Sequence, residues 1–240
     1  MISKNCISEK DGCVNCLKKR FSLLNKLSEA ELQILNSNRK SYNIKRGKSI
    51  YNIGEKPKGL ICLSQGQAKI SVGDEFGNLQ IVSLKKKVDF LGFHELMSKS
   101  NYSTTATAIN DVDICIIDKK DFFSVVTHNN DFSMKIIKQL AKDLQNTEKR
   151  TIKLTQKHMR SRLAETILEL VEIYGFVKNE KGLINVELKR KEFANISNMT
   201  TANAIRTMSA FVKEGIIKTE RRKVWILDSI GLKKIQEEKN

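Results

Sequence analysis

Proline is almost missing from this chain: of 240 residues only Pro57 is one. With no Pro-rich or low-complexity stretch and no internal repeat to mark a linker, boundaries must be read from changes in hydrophobic period. Long apolar runs are missing too, and stretches such as Leu60-Ile61-Cys62-Leu63 fall far below the roughly 20 residues that a spanning helix needs. The N-terminus has no apolar signal-peptide segment. A chain lacking both is expected in the cytoplasm with no membrane role, where its five cysteines serve as thiols or metal ligands sooner than as structural disulfides. Catalytic constellations are also absent. There is no Gly-rich phosphate loop, no HExxH and no motif-linked Ser/His/Asp set, so no enzyme is expected. Acidic residues are the minority charge, 27 against 43 Lys and Arg, for a formal net charge of +16. That balance favours polyanionic partners, although a ribosomal or membrane-surface protein would show it as well.

What is present is most legible near the C-terminus. In KEFANISNMTTANAIRTMSAFVKEGII, Phe193, Ala194 and Ile196 fall at helical spacing, as do Ala204, Ile205, Met208 and Phe211 after a break. The break is Ser197-Asn198-Met199-Thr200. Asn198 suits the left-handed backbone that ends one helix, and Thr200 suits the N-cap of the next. Two helices joined by about four residues form a helix-turn-helix, a device that lays its second helix in the major groove of double-stranded DNA. Thr200, Thr201, Ala202, Asn203 and Arg206 occupy the base-reading half of that helix. Arg206 is the leading candidate, because a guanidinium can pair with both N7 and O6 of guanine.

Downstream, Ile216-Ile217 and Val224-Trp225-Ile226-Leu227 read as two short strands with Glu220-Arg221-Arg222-Lys223 as the turn between them. The adjacent cations Arg221, Arg222 and Lys223 suit phosphate contacts. From Lys189 to Lys223 there are nine Lys or Arg against three Asp or Glu, a local excess that supports nucleic acid as the partner.

Earlier in the chain the pattern differs. From Tyr42 to Asp118, short alternating segments such as Lys69-Ile70-Ser71-Val72 and Gln80-Ile81-Val82-Ser83-Leu84 are punctuated by glycines, and DEFGN between them is hairpin chemistry. This predicts a β-roll or jelly roll. Ahead of it, Leu27 to Asn36 reads as a short helix capped by Ser28, with Glu31 completing a capping box. Ile137, Leu140, Leu144, Thr147, Thr151, Leu154 and His158 then follow at alternating spacings of three and four, a heptad seam. The seam either packs on its own roll or joins two copies; its length and polar members favour a homodimer, which would set two reading helices about one DNA turn apart. His94 reads as a polar loop residue and His128 as a helix-entry residue. The expected fold class is therefore α+β. It comprises an N-terminal arm at 1–26, a β-roll sensor domain at 27–130, a dimerisation helix at 131–158 and a winged helix-turn-helix at 159–240.

That order of parts resembles the Crp/Fnr family of bacterial transcription regulators over almost the whole chain. The segment from Thr155 to Ala164 is similar to the family's passage from dimer helix to DNA-binding domain, and NMTTANAIRTM is similar to its recognition motif, with Arg206 at the DNA-reading arginine. The resemblance implies a regulator that reads a palindromic operator and, as an activator, meets RNA polymerase. Two departures bear on the operator: Asn198 stands where the family often has glycine, and Ala202 where it often has a glutamate able to accept from cytosine N4.

The family's cyclic-nucleotide branch holds its ligand with a Gly-Glu and an Arg-Ser pair, and the equivalent positions here are Gly92-Phe93 and Tyr102-Ser103. Without that glutamate and arginine the ligand's charge lacks its partners, so cyclic AMP is not expected. The oxygen-sensing Fnr branch holds a [4Fe-4S] cluster through N-terminal cysteines and one strand cysteine. Resemblance to it implies Cys6, Cys13, Cys16 and Cys115 as ligands, although Ser22 stands where that branch has a third arm cysteine. Zinc, redox-sensing thiols and no metal at all remain open. Cys62, in an apolar strand, reads as a small packed hydrophobe. Two other classes compete: a small-molecule-binding module with an incidental basic tail, and a redox enzyme around Cys13 and Cys16. The second is opposed by the lack of a βαβ setting for the CxxC.

Overall fold

The computed structural model describes Leu24, residues 27–73 and residues 79–238, with only the backbone of Arg150 and residues 152–156. Cys6, Cys13, Cys16, Ser22 and the DEFGN turn lie outside the described residues, as does the side chain of Leu154. The described residues divide into two compact units, Leu24 and residues 27–73 with 82–144, and residues 79–81 with 145–238.

The first unit opens with α1 (Glu29–Ser37). The Ser28 hydroxyl accepts the N–H of Glu31, and the Glu31 carboxylate accepts the Ser28 N–H at 2.7 Å, the capping box the sequence predicts. Two four-stranded sheets follow. One runs in the order β1 (Lys40–Ile44), β8 (Val112–Asp118), β3 (Gly59–Gln65), β6 (Phe90–Leu91). The other runs β2 (Ser49–Tyr51), β7 (Thr105–Ala108), β4 (Ala68–Gly73), β5 (Leu79–Lys85). The first sheet is buried on both faces. Ile61, Leu63, Val112 and Ile114 face the core shared with the second sheet, whereas Leu60, Cys62, Cys115 and Ile117 face a core shared with helices. Double-sided burial explains why Leu60 to Leu63 is continuously apolar instead of alternating.

The covering helices are α1, α3 (Lys119–His128) and the start of α4 (Asn130–Gln156), while α2 (Phe93–Ser98) contributes Phe93 and Leu96. Asn129 donates to the Glu31 carboxylate at 2.6 Å, tying the α3–α4 junction to α1. His128 ends α3 instead of opening a helix, its Nδ1 lying 2.8 Å from the Ser124 carbonyl oxygen. The long helix also stops earlier than its heptads suggest: His158 is the N-cap of α5 (Met159–Tyr174), so it lies between two helices and off the seam.

The second unit holds α5, α6 (Arg190–Ile196), α7 (Thr201–Lys213), the hairpin β9 (Ile217–Glu220) and β10 (Lys223–Ile226), and α8 (Ser229–Glu237). Leu163, Ile167, Leu170, Phe193, Phe211 and Leu232 are all buried. Each such side chain contributes about 1.5–3 kcal/mol. Asn198 sits at φ 51°, the left-handed conformation foreseen for it, and the Met199 N–H closes the end of α6 on the Ala194 carbonyl at 3.0 Å.

Candidate DNA-reading surface and sensor core

Thr200 starts α7 by accepting the Asn203 N–H on its side chain at 3.2 Å. Ala204, Met208 and Phe211 then point into the unit's core, which leaves Thr201, Ala202 and Arg206 exposed and Asn203 half-buried. Ile205 shares the apolar spacing of Ala204, Met208 and Phe211 but is 45% exposed. Asn203 is the residue that sequence reasoning undervalued. Its side-chain oxygen accepts Arg206 Nη2 at 2.7 Å, and its amide donates to the Met159 sulfur of α5 at 3.1 Å. Arg206 is thus held along the helix by a side chain itself anchored on a neighbouring helix. The first turn of α7 carries no acidic residue, so its positive dipole end stays uncompensated and available to an anion.

The hairpin is tighter than the sequence reading has it. Glu220 pairs with Lys223, so the turn is only Arg221-Arg222, with Arg221 at φ 49°. Leu227 falls outside the strand and is exposed. Arg221, Arg222 and Lys223 line a shallow cleft with Glu187 and Glu220, and Lys223 Nζ lies 3.9 Å from Glu180. The Lys218 ammonium sits over the Trp225 ring at 5.1 Å, stiffening the hairpin's stem. Arg160 of α5 lies over the Phe211 ring and forms an ion pair with Glu214, which holds the Glu214 carboxyl below its ordinary range.

In the roll, Gly92 lies against Tyr102. Gly92 has φ 62°, and a Cβ there would lie 2.3 Å from the Tyr102 ring. Tyr102 stacks on Tyr51 with ring centroids 3.8 Å apart, and Tyr51 reaches Thr104 with its hydroxyl at 3.2 Å. Burial pushes the Tyr51 phenol up to about 12, and burial followed by the neighbouring Tyr51 pushes Tyr102 up as well. Ser103 is engaged too. Its N–H and hydroxyl both donate to Glu95, at 3.3 and 2.7 Å, and Glu95 is itself buried. Glu95 was not singled out from the sequence, and only the turn of α2 brings it back onto Ser103.

Cys115 is 4% exposed and accepts Arg39 Nη1 at 3.2 Å, with the Ser41 hydroxyl 3.7 Å away. Cys62 packs in the apolar core, as its strand context predicts. Among the described residues no group of three or more His, Cys, Asp or Glu is arranged to hold a metal ion. On α4, Ile137 and Leu144 are 55% and 62% exposed, and Thr147 and Thr151 are exposed as well. Leu140 is different, since it packs against its own unit beside Ile136.

The two units have separate counterparts. Residues 42–129 match the cyclic nucleotide-binding domain and residues 161–235 match the Crp-like helix-turn-helix domain. Over 192 residues the chain is 22% identical to the transcriptional regulatory protein Btr of Bordetella pertussis, covering 80% of this chain and 79% of that protein. An uncharacterized protein of Haemophilus influenzae is 31% identical over 110 residues, 45% of this chain and 85% of its own length. The crystal structure of a CRP/FNR-family transcriptional regulator from Thermus thermophilus superimposes with a TM-score of 0.70 at 21% identity, covering 84% of this chain and all of that one. With a roll of the cyclic-nucleotide-binding type ahead of a Crp-like helix-turn-helix, and regulators of that architecture among its relatives, the chain belongs to the Crp/Fnr family of transcription regulators.

Proposed function

We propose that the protein acts in the cytoplasm as a homodimer that reads a palindromic operator with α7 of each copy, in response to a signal other than a cyclic nucleotide. The observation that carries the DNA assignment is the exposed Arg206, clamped by Asn203 on a helix whose N-terminal turn carries no acidic charge. Thr200, Thr201, Ala202 and Asn203 complete the reading face, and Arg221, Arg222 and Lys223 grip phosphate beside it. The exposed Ile137 and Leu144, continued by Thr147 and Thr151, support α4 as the dimer seam. An activator of this build would meet RNA polymerase.

A cyclic nucleotide is opposed by what fills the sensor core. The position where an arginine would meet the cyclic phosphate is a tyrosine stacked on another tyrosine, and the donors of Ser103 are already taken by a buried carboxylate. An anion there would face Glu95 instead of a countercharge. The iron–sulfur reading turns on Cys6, Cys13 and Cys16, which lie outside the described residues. Cys115 is the one ligand of the four that they include, and its sulfur lies buried in a packed sheet beside Arg39.

In-vitro selection from random duplex DNA tests the reading. A two-fold symmetric site should be enriched, and adding cyclic AMP should leave its affinity unchanged. Arg206→Ala should lose the preference at one base pair in each half-site, worth about 1–3 kcal/mol each. Enrichment of the same site by that variant would overturn the assignment.

A further inference from the structure

Cys62 and Cys115 are direct partners across the antiparallel pair β3·β8. Both point to the same face of the sheet, into the core that α1, α3 and α4 cover. Directly opposed antiparallel residues have Cα atoms about 4.5–5.5 Å apart. That lies within the roughly 4.4–6.8 Å a disulfide spans. The rung continues outward to Ser41 on β1, which is an edge strand. Arg39 closes it: Nη1 reaches both the Cys115 sulfur at 3.2 Å and the Ser41 hydroxyl at 3.0 Å, while Nε is fixed by Asn36 at 2.8 Å. A neutral thiol offers a guanidinium only a weak acceptor, whereas a thiolate offers a charged one.

We propose that Cys62 and Cys115 form a redox-modifiable dithiol that takes a hydroperoxide as oxidant, Cys115 being the sulfur that reacts and Cys62 the one that resolves it. The Cys115 thiolate attacks one peroxide oxygen and the O–O bond breaks. The other oxygen leaves as alcohol or water after taking a proton, and a sulfenic acid is left on Cys115. The Cys62 sulfur then displaces the hydroxyl, which departs as water with the Cys62 proton. In total two thiols and one hydroperoxide give one disulfide, one alcohol or water, and one further water. Sulfur is oxidised by two electrons and the peroxide is reduced by two.

Arg39 and Ser41, both half-buried, are the polar neighbours of the Cys115 sulfur, which is itself 4% exposed. The bond would tether β3 to β8 inside the core that also holds Phe132 and Ile136 of α4. Oxidation would thus act on the packing beneath the long helix. The proposal stands apart from the DNA-reading assignment.

The test uses the full chain, hydrogen peroxide as the probe, and peptide mapping after alkylation in denaturant. A cross-linked peptide joining Cys62 to Cys115 is expected, reversible by dithiothreitol. Cys62→Ser should stop the reaction at a sulfenic acid on Cys115 that dimedone traps. Arg39→Lys, which keeps the charge but not the fork, should slow formation of the cross-link about tenfold. Peroxide that leaves both residues fully alkylatable, or that joins Cys115 to Cys6, Cys13 or Cys16 instead, overturns the proposal. The wild-type mapping alone decides it should a variant fail to fold.

Discussion

Gly92 and Tyr102 show how single residues fix the character of the roll. Gly92 combines a left-handed backbone with a ring atom 2.3 Å from where a Cβ would sit, so Gly92→Ala meets both strain and a collision. A loss of about 1–3 kcal/mol is expected, read as a lower urea midpoint with unchanged slope. The tyrosine pair adds a pH dependence. The Tyr51 phenol is raised from 10.0 to about 12. The folded state therefore favours its neutral form; that contribution is complete below 10.0 and is lost as pH rises toward about 12. Tyr51→Phe should flatten the alkaline limb of a stability profile over that window. Much at this scale was legible beforehand. Tyr102 could not serve as a countercharge whatever its rotamer, and the helix-turn-helix spacing alone put Arg206 outside. Glu95 was not legible, because its partnership with Ser103 depends on a short helix doubling back. The exposure of Ile205 was not legible either, because counting at three and four accepts a residue beside the buried stripe as readily as one within it.

Among the elements, α4 is where sequence and structure inform each other most. Heptad counting treats Leu140 and Leu144 alike, yet Leu140 is spent on its own unit while Leu144 is exposed. The pair to change is therefore Ile137 and Leu144. Replacing both with lysine places like charges across a two-fold seam and should give monomer in sedimentation, with the thermal midpoint of the roll nearly unchanged. A dimer of unaltered mass would move the interface elsewhere. Leu140→Lys, by contrast, should damage the roll itself. The count also ran past the helix end, since the spacing of Leu154 and His158 continues across a break set by His158 capping the next helix. Turn chemistry was more dependable. Asn198 and Thr200 marked the two sides of the helix-turn-helix break correctly, because a left-handed backbone and a side-chain cap are local requirements that a residue meets or fails by itself.

Across the whole molecule, a net charge of +16 makes salt the first variable of any binding experiment. Arg221→Gln with Arg222→Gln should weaken binding to every duplex alike and lower the slope of log affinity against log salt by about two for each copy bound, about four for a dimer. A loss confined to one base position would contradict the phosphate role. The same hairpin supplies a way to watch the event. The chain has a single tryptophan, and Trp225 lies half-buried on β10 under the Lys218 ammonium. All indole emission therefore originates in the second unit, next to the two arginines of the turn. Melting of the roll is silent in that channel, while far-ultraviolet dichroism sees both units. The difference between the two signals would resolve, without any label, whether the units unfold together or one at a time.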